Sequence, residues 1–258
     1  MNNSIPILMY HGIKTDLQSV PEGREIGAEI YDVTLNNFVY QMNWLAQHQY
    51  HAIAIEEIDK FASQKQVILT FDDGEMNNFI HALPVLQQLI FQAYFFVIVD
   101  RIGKPGYMGW DELHQMQEAG MIIGSHSMTH PILTDLTDVQ VEDELYNSLK
   151  ILVNHLGDGV NTLSIPRGFC NDKVMQIAYA SGYRHVFISE RPENLKSDCL
   201  DRIAVKTSWN HQRFEKAIYG IKPISEQISD QVKKTIKKSL NGETYNRLRN
   251  TLISISSK

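Results

Sequence analysis

The sequence predicts an α/β fold in which parallel strands alternate with helices and close into a barrel. Short apolar runs of strand length alternate with helical patterns as far as about residue 220, which is typical of a parallel sheet with helical crossovers. Eight candidate strands in that length fit a barrel better than an open sheet. In such barrels the chemically active residues follow the C-terminal ends of strands. Polar candidates at or just beyond strand ends are His11, Asp72, Asp73, Asp100, His126 and Arg167.

The individual elements follow from local patterns. Helices are predicted where apolar residues recur every three or four positions, and strands where short apolar runs lie between turn signals. The predicted strands are, in chain order, 5–10, 52–55, 67–71, 94–99, 121–124, 162–165, 185–188 and 203–205. The predicted helices are 35–48, 56–62, 78–90, 110–119, 138–156, 172–180 and 214–219. Pro84 predicts a kink or a late start for helix 78–90, and the polar segment 14–34 predicts a long loop.

Composition is that of an ordinary soluble globular protein. The chain has 258 residues and 29.6 kDa, with 43% hydrophobic and 21% charged residues. A net charge of −6 argues against a nucleic-acid binder. The two cysteines, Cys170 and Cys199, have no metal-binding spacing; they allow one disulfide but favour reduced thiols. No signal-peptide pattern and no apolar run near the roughly 20 residues of a membrane span occur, which predicts a cytoplasmic protein.

The last segment, residues 221–258, differs from the predicted barrel at 1–220. It holds eight Lys or Arg against three Asp or Glu, a net charge of +5, which leaves −11 for the barrel. Apolar residues repeat every four positions in this basic tail: Ile224, Ile228, Val232, Ile236 and Leu240. We considered two helices packed on the outside of the barrel, a helix for a partner, and a weak contact with an anionic membrane. The sequence indicates no oligomeric state.

Two adjacent carboxylates end the predicted strand 67–71. Asp72 and Asp73 come directly after Phe71, and Gly74 then allows a sharp turn. Carboxylates this close repel each other, so each must be solvated, protonated or bound to a cation. The sequence therefore allows either a plain Asp-Asp-Gly turn or a metal ligand beside a general base.

Two histidines follow another predicted strand. His126 and His130 are four residues apart, and on one helical turn that spacing would place both imidazoles on the same face. One carboxylate and two imidazoles form a common open ligand set for Zn²⁺ or Fe²⁺, with positions left for water and substrate.

These two motifs resemble a known family. Thr70-Phe71-Asp72-Asp73-Gly74, followed by Ser125-His126-x-x-x-His130, is similar to the polysaccharide deacetylases of the NodB-homology group, carbohydrate esterase family 4. The resemblance covers about residues 4–220 and implies a distorted (β/α) barrel of about seven parallel strands. It also implies metal-dependent removal of N-acetyl groups from a sugar or glycan.

The resemblance assigns roles to individual residues. Asp73, His126 and His130 would bind a divalent metal, with zinc expected and iron, cobalt or nickel as alternatives. Asp72 would be the catalytic base. The turn Pro166-Arg167-Gly168 looks like the third motif of the family, and the backbone amide of Arg167 would hold the oxyanion.

The sequence departs from the commoner members of the family at two points. The arginine that orients the base is replaced by Ser164, and Arg167 is a candidate for a substitute guanidinium. The usual C-terminal Leu-x-His segment is also absent from residues 185–220. The segment 7–12, which ends in His11-Gly12, looks like that motif moved to the start of the barrel.

This arrangement resembles a circularly permuted branch that includes deacetylases of poly-N-acetylglucosamine. The resemblance makes His11 the general acid, with His185 and His211 as weaker candidates. Trp209 follows the last predicted strand and is a candidate for a sugar-stacking wall.

Two alternatives to an N-deacetylase stay open from the sequence. One is a barrel that binds glycan or metal without turnover, because the usual arginine is missing. The other is a hydrolase of another C–N bond, such as that of a cyclic amide or imide. The motifs do not identify the sugar, and the predicted cytoplasmic location favours a nucleotide- or lipid-linked substrate over a finished polymer.

Overall fold

A computed structural model describes residues 5–15, 21, 24–239, 244, 248 and 251. Its centre is a sheet of parallel strands with helices on the outside. The strands are β1 Ile7–Tyr10, β2 Ile13–Lys14, β3 Val33–Thr34, β4 Tyr50–Ala52, β5 Lys65–Phe71, β6 Tyr94–Val97, β7 Ile122–Ser125, β8 Thr162–Ser164, β9 His185–Ile188, β10 Leu200–Asp201 and β11 Ile203–Ala204. The helices are α1 Leu35–Gln47, α2 Leu83–Leu89, α3 Trp110–Glu118, α4 Asp138–Leu156, α5 Asp172–Ser181, α6 His211–Ile218 and α7 Ile224–Ser239.

The strand order confirms the predicted barrel. The main sheet runs β10-β9-β8-β7-β6-β5-β1-β11, with β4 paired to β5, and its strand pairs are parallel. Its two end strands, β10 and β11, are separated only by Arg202 along the chain. The Arg202 amide donates to the Ile188 carbonyl of β9, and the Val205 amide donates to the Met9 carbonyl of β1. One short segment therefore joins both ends of the sheet.

The first strand of the chain lies beside its last. β1 pairs with β11 on one side and with β5 on the other. Tyr10 is in register with Phe71, and the Asp72 amide donates to the Tyr10 carbonyl at 2.9 Å. His11 and Asp72, which follow these strands, are therefore neighbours at the same end of the barrel, as the permuted arrangement predicts.

Alternating side chains on each strand supply two apolar layers. Leu8, Leu69 and Phe95 belong to the large core between sheet and helices. Their neighbours in sequence, Ile68 and Phe96, belong to a smaller cluster on the other face of the sheet. This period of two is expected where successive side chains on a strand point to opposite faces, and in a closed sheet that second face is the interior.

The helix after β5 begins late, as Pro84 allows. Residues Asn78–Ala82 form a π-helical turn, and α2 begins only at Leu83 with Pro84 in its first turn. Proline is tolerated there because its missing N–H would have no partner within the helix. Single π turns are frequent at functional sites.

The tail helix does not bury its apolar face on the barrel. In α7, Ile224, Ile228 and Val232 are 75%, 61% and 52% exposed. The interpretation in which this face packs on the barrel is therefore wrong for these residues, while Leu240 and the rest of the predicted second helix lie largely outside the described residues. Within the described part of the chain, no helix combines the length and the apolar character needed to span a membrane.

Candidate active site

The two carboxylates lie at the C-terminal end of β5, where a left-handed backbone separates them. Asp73 has φ 74° and Gly74 has φ 73°. A Cβ on Gly74 would lie 2.9 Å from Val97 Cγ1, so the turn needs glycine for space as well as for conformation. The turn directs the side chain of Asp72 toward Arg202 and that of Asp73 toward His126 and His130.

The two histidines come from a loop after β7, so the expected helical turn is wrong, although the two imidazoles do lie close together. Ser127 has φ 64° and His130 has φ 68°, both left-handed. Two serines hold this loop: Ser125 Oγ accepts from the Ser127 amide, and Ser127 Oγ accepts from the His130 amide. The loop brings the two imidazoles together without a helix.

Three ligand atoms converge at the end of the barrel. His126 Nε2 and His130 Nε2 are 3.2 Å apart, and Asp73 Oδ1 lies 3.7 Å and 3.8 Å from them. Ligands at 2.0–2.1 Å from a tetrahedral zinc ion stand about 3.4 Å apart. Among the described residues, this is the group of His, Cys, Asp or Glu side chains arranged to hold a metal ion.

The hydrogen bonds of the histidines direct both Nε2 lone pairs to the same point. His126 Nδ1–H donates to the Ser164 carbonyl at 2.8 Å, and His130 Nδ1–H donates to the Glu25 carboxylate at 2.7 Å. Burial lowers the pKa of His126 to about 4, so its ring is neutral at pH 7.

The donor atoms of this site fit a cation. Asp73 Oδ1 is buried and has no hydrogen-bond partner within the described structure. Two imidazole lone pairs and a carboxylate oxygen therefore face one another with no proton to share, an arrangement that a divalent cation stabilises.

Asp72 is held by an arginine that sequence reasoning missed. Arg202 donates to both carboxylate oxygens at 2.8 Å, and both side chains are buried. Burial alone would raise the pKa of Asp72, but the charge and the hydrogen bonds of Arg202 hold it well below its usual value. Ser164 also contacts this pair, with its Oγ 2.8 Å from Arg202.

Ser164 stands where the commoner members of the family have the arginine that orients the base. Arg202, and not Arg167, supplies that guanidinium in this structure. It projects from the segment that joins the two ends of the sheet. The one signal in the sequence was an arginine directly before the predicted strand 203–205, because an arginine placed there must find a partner when buried.

His11 lies beside Asp72, where the permuted motif predicts it. Its ring stacks on Tyr31 with centroids 4.9 Å apart, and its Nδ1 is buried without a partner among the described residues. Asn78, in the π turn, donates to the His11 carbonyl at 2.8 Å. The turn after the Asp-Asp motif therefore holds the loop that carries His11.

The two remaining predicted site residues are Arg167, which lies near the candidate metal ligands, and Trp209, whose ring is covered. Arg167 has φ 58° in the turn after β8, and its guanidinium pairs with Glu25. Trp209 is 5% exposed, with the Arg213 guanidinium 4.1 Å above its ring. A sugar cannot stack on a covered ring, so the predicted wall at Trp209 is wrong.

The weaker histidine candidates lie elsewhere. His185 begins β9, at the opposite end of the barrel from the Asp-Asp turn, and His211 stacks on Tyr40 at the start of α6. Neither contacts the carboxylate pair.

Comparison with known proteins identifies the family. Residues 59–186 match the family model described as polysaccharide deacetylase. YxkH of Bacillus subtilis (strain 168), which carries the name of a polysaccharide deacetylase, is 30% identical over 228 residues, covering 84% of this chain and 77% of its own. The chain belongs to the polysaccharide deacetylase family. Members of this family are hydrolases that act on the C–N bonds of N-acetyl groups.

Solved structures agree with this assignment. BC0361, a polysaccharide deacetylase from Bacillus cereus, has a TM-score of 0.70 at 27% identity over 83% of this chain and 68% of its own. IcaB from Ammonifex degensii, at 21% identity, has a TM-score of 0.66 over 83% of this chain and 95% of its own. The second likeness concerns the fold alone, and it accords with the resemblance to the permuted branch.

Proposed function

We propose that this polysaccharide deacetylase is a metal-dependent enzyme that releases acetate from an N-acetylated sugar or glycan. The observation that carries the proposal is the convergence of two imidazole lone pairs and the unpartnered Asp73 Oδ1 beside the ionised Asp72. Asp73, His126 and His130 would hold the cation. Two nitrogens and one carboxylate oxygen favour zinc, with iron, cobalt and nickel as alternatives.

The cation, when bound, supplies Lewis-acid chemistry that polarises the acetyl carbonyl and lowers the pKa of the attacking water. Asp72 accepts a proton from that water. Arg202 keeps Asp72 ionised and fixes both of its oxygens, which orients the base but also limits its proton affinity. His126, with its Nε2 3.8 Å from Asp72 Oδ2, sets the distance between base and metal site.

His11 protonates the departing amine nitrogen as the C–N bond breaks. Its stacking on Tyr31 and the hold of Asn78 on its carbonyl fix the ring at the edge of the site. The amide of Arg167, in its left-handed turn, would donate to the oxyanion. These roles follow the resemblance, and the geometry supports them.

The buried pair of Arg202 and Asp72 weighs against a barrel that only binds. That alternative depended on the loss of the orienting arginine, and Arg202 occupies the corresponding place on the carboxylate. A charged pair in a barrel interior carries a large desolvation cost, so it is poorly explained by stability alone.

One experiment separates the candidate functions. The zinc-loaded protein would be given a chitooligosaccharide, a nucleotide-linked N-acetyl sugar and a cyclic amide, with free acetate and ring opening both measured. We expect acetate from N-acetyl sugars and no ring opening. Bound zinc without any product would indicate a binding protein, and ring opening without acetate would indicate a cyclic amidase. The cytoplasmic location stays a prediction. Faster reaction of the nucleotide-linked sugar than of the chitooligosaccharide would support it.

His11→Ala tests the acid in the same assay. General acid catalysis contributes about 10²–10⁴-fold, so kcat should fall by that factor while zinc content stays unchanged. His211→Ala, which removes an imidazole outside the site, is the matched control. An unchanged kcat in His11→Ala would remove His11 from the mechanism.

For the tail we propose a contact with an anionic membrane surface. The tail has an exposed apolar row, Ile224, Ile228 and Val232, and a net charge of +5. A helix with both features binds a membrane surface that is anionic at its headgroups and apolar beneath them.

A further inference from the structure

A carboxylate outside the motifs, that of Glu25, contacts one of the candidate metal ligands. Glu25 lies in the segment between β2 and β3, and its Oε1 accepts from His130 Nδ1–H at 2.7 Å. The same oxygen pairs with the Arg167 guanidinium. One carboxylate thus joins a candidate metal ligand to the turn that carries the candidate oxyanion donor.

The contacts of Glu25 indicate the tautomer of His130. Glu25 Oε1 lies between His130 Nδ1 and the Arg167 guanidinium and contacts both. A carboxylate can only accept, so the proton of the contact is on His130 Nδ1. The Nε2 of that ring is consequently free to bind a cation.

The neighbouring residue anchors Glu25 to the barrel. Arg24 pairs with Asp32 and with Glu75, which follows the Asp-Asp-Gly turn; its Nε lies 2.7 Å from Glu75 Oε1. All three side chains are buried. A Cβ on Gly12 would lie 2.7 Å from Asp32 Oδ1 and 2.9 Å from Glu75 Oε2, so glycine after His11 leaves room for this anchor.

We propose that Glu25 is a positioning residue that sets the metal affinity of the site through His130. The inference rests on the proposed metal-dependent function. Carboxylates on the distal nitrogen of a metal-binding histidine fix its tautomer and orientation and raise its basicity, and their loss typically costs about 10–100-fold in affinity. Arg24 holds the backbone in place, so replacing the Glu25 side chain should leave the segment folded.

The test compares Glu25→Gln and Glu25→Ala with the wild type. Zn²⁺ affinity would be measured by chelator competition on metal-depleted protein, and the visible spectrum would be recorded with Co²⁺. Glutamine keeps an acceptor for Nδ1–H but loses the charge, so we expect affinity to fall in the order wild type, Gln, Ala, with a loss of about 10–100-fold in the Ala variant. The Co²⁺ bands should shift in both variants, which a purely structural role would not cause.

Glu226→Gln is the matched control. Glu226 also pairs with an arginine, Arg213, and its side chain is 26% exposed against 27% for Glu25. It should leave the affinity and the Co²⁺ spectrum unchanged.

The outcomes separate this inference from the proposed function. If both Glu25 variants bind Zn²⁺ within about twofold of the wild type and with the same Co²⁺ spectrum, the positioning role is wrong and the metal site stands. If the wild type itself binds no metal, the proposed function fails and this inference fails with it. Matching thermal unfolding of the metal-free proteins verifies that the comparison is between folded chains.

Discussion

At the scale of single residues, the base is oriented from an unexpected direction. Asp72 leaves β5 and meets Arg202 from the segment that joins β10 and β11, so the two residues are 130 positions apart in the chain. Arg202 also donates to Thr70 Oγ1 on β5, two residues before Asp72. The guanidinium therefore ties the closing segment of the barrel to the strand that carries the base.

Arg202→Met should damage both stability and turnover. Removal of one partner from a buried ion pair costs about 3–5 kcal/mol because the remaining charge is uncompensated. Misplacement of the base should lower kcat by about 10²-fold, with zinc content unchanged because Arg202 contacts none of the proposed ligands. Denaturant unfolding and acetate release measure the two effects.

The free energy of unfolding and the kcat of Arg202→Lys should lie between those of the wild type and of Arg202→Met, since lysine keeps the charge but not the two-point contact. Lys222→Met is the control: its pair with Asp230 is partly exposed, at 54% and 26%, and a change within about 1 kcal/mol is expected. If kcat in Arg202→Met matched the wild type, Arg202 would be a structural residue only.

Local patterns were enough to find the residues that share a motif. The Asp-Asp-Gly turn, the two histidines and His11 each follow a strand directly, so sequence position fixes where they lie. Arg202 and Glu25 could not be assigned in this way, because their partners come from strands and loops that meet them only when the barrel closes. The predicted sugar-stacking role of Trp209 was wrong for a similar reason, because Arg213 of helix α6 covers its ring.

At the scale of elements, strained turns concentrate at the site. The described non-glycine residues with positive φ are Gln49, Asp73, Ile90, Ser127, His130 and Arg167. Two of them end helices, and the other four lie in the three turns that build the site. Left-handed backbone costs about 1–2 kcal/mol per residue, so these turns depend on the surrounding hydrogen bonds and packing.

Gly168→Ala tests the third turn. Gly168 has φ 67°, and an added Cβ would lie 2.1 Å from Ser189 Oγ. The backbone strain and the clash together should lower the free energy of unfolding by about 2–4 kcal/mol, measured by denaturant unfolding.

Gly120→Ala separates the two causes, because Gly120 has φ 82° but nothing within 4 Å of an added Cβ. It should cost only about 1–2 kcal/mol. Adding Ser189→Ala to Gly168→Ala removes the Oγ and should recover the difference. Equal costs for Gly168→Ala and Gly120→Ala would show that the close approach of Ser189 does not matter.

At the scale of the whole molecule, the chain order of the barrel explains the site. The fold class, the alternation of strands and helices and the permuted start were predicted, because each depends on periodicity or on one motif. Of the two end strands, β11 was predicted as 203–205, and β10, which precedes it at Leu200–Asp201, was missed. Two-residue strands carry too little pattern to be recognised before their neighbours are known.

The tail helix α7 exposes a row of three apolar side chains, Ile224, Ile228 and Val232. We expect the full chain to sediment with vesicles that contain phosphatidylglycerol, to release with added salt, and to ignore vesicles of phosphatidylcholine alone. Ile228→Asp with Val232→Asp should abolish the binding by placing charge in the apolar row.

Val139→Asp is the control for this prediction. Val139 is 68% exposed, but it lies on α4 in an acidic stretch of the sequence, so its replacement should leave vesicle binding unchanged. Equal binding to neutral vesicles would remove the role of charge. Concentration-dependent self-association without vesicle binding would assign the row to a second copy of the chain.

The central claim is that acetate release depends on a cation held by Asp73, His126 and His130. The most direct measurement is a titration of Zn²⁺ into metal-depleted protein, with bound metal and the rate of acetate release from a chitooligosaccharide followed together. We expect the rate to rise in proportion to bound zinc and to saturate at one ion per chain, and Asp73→Asn to lose both. Acetate release at an unchanged rate by the metal-depleted protein would contradict the account.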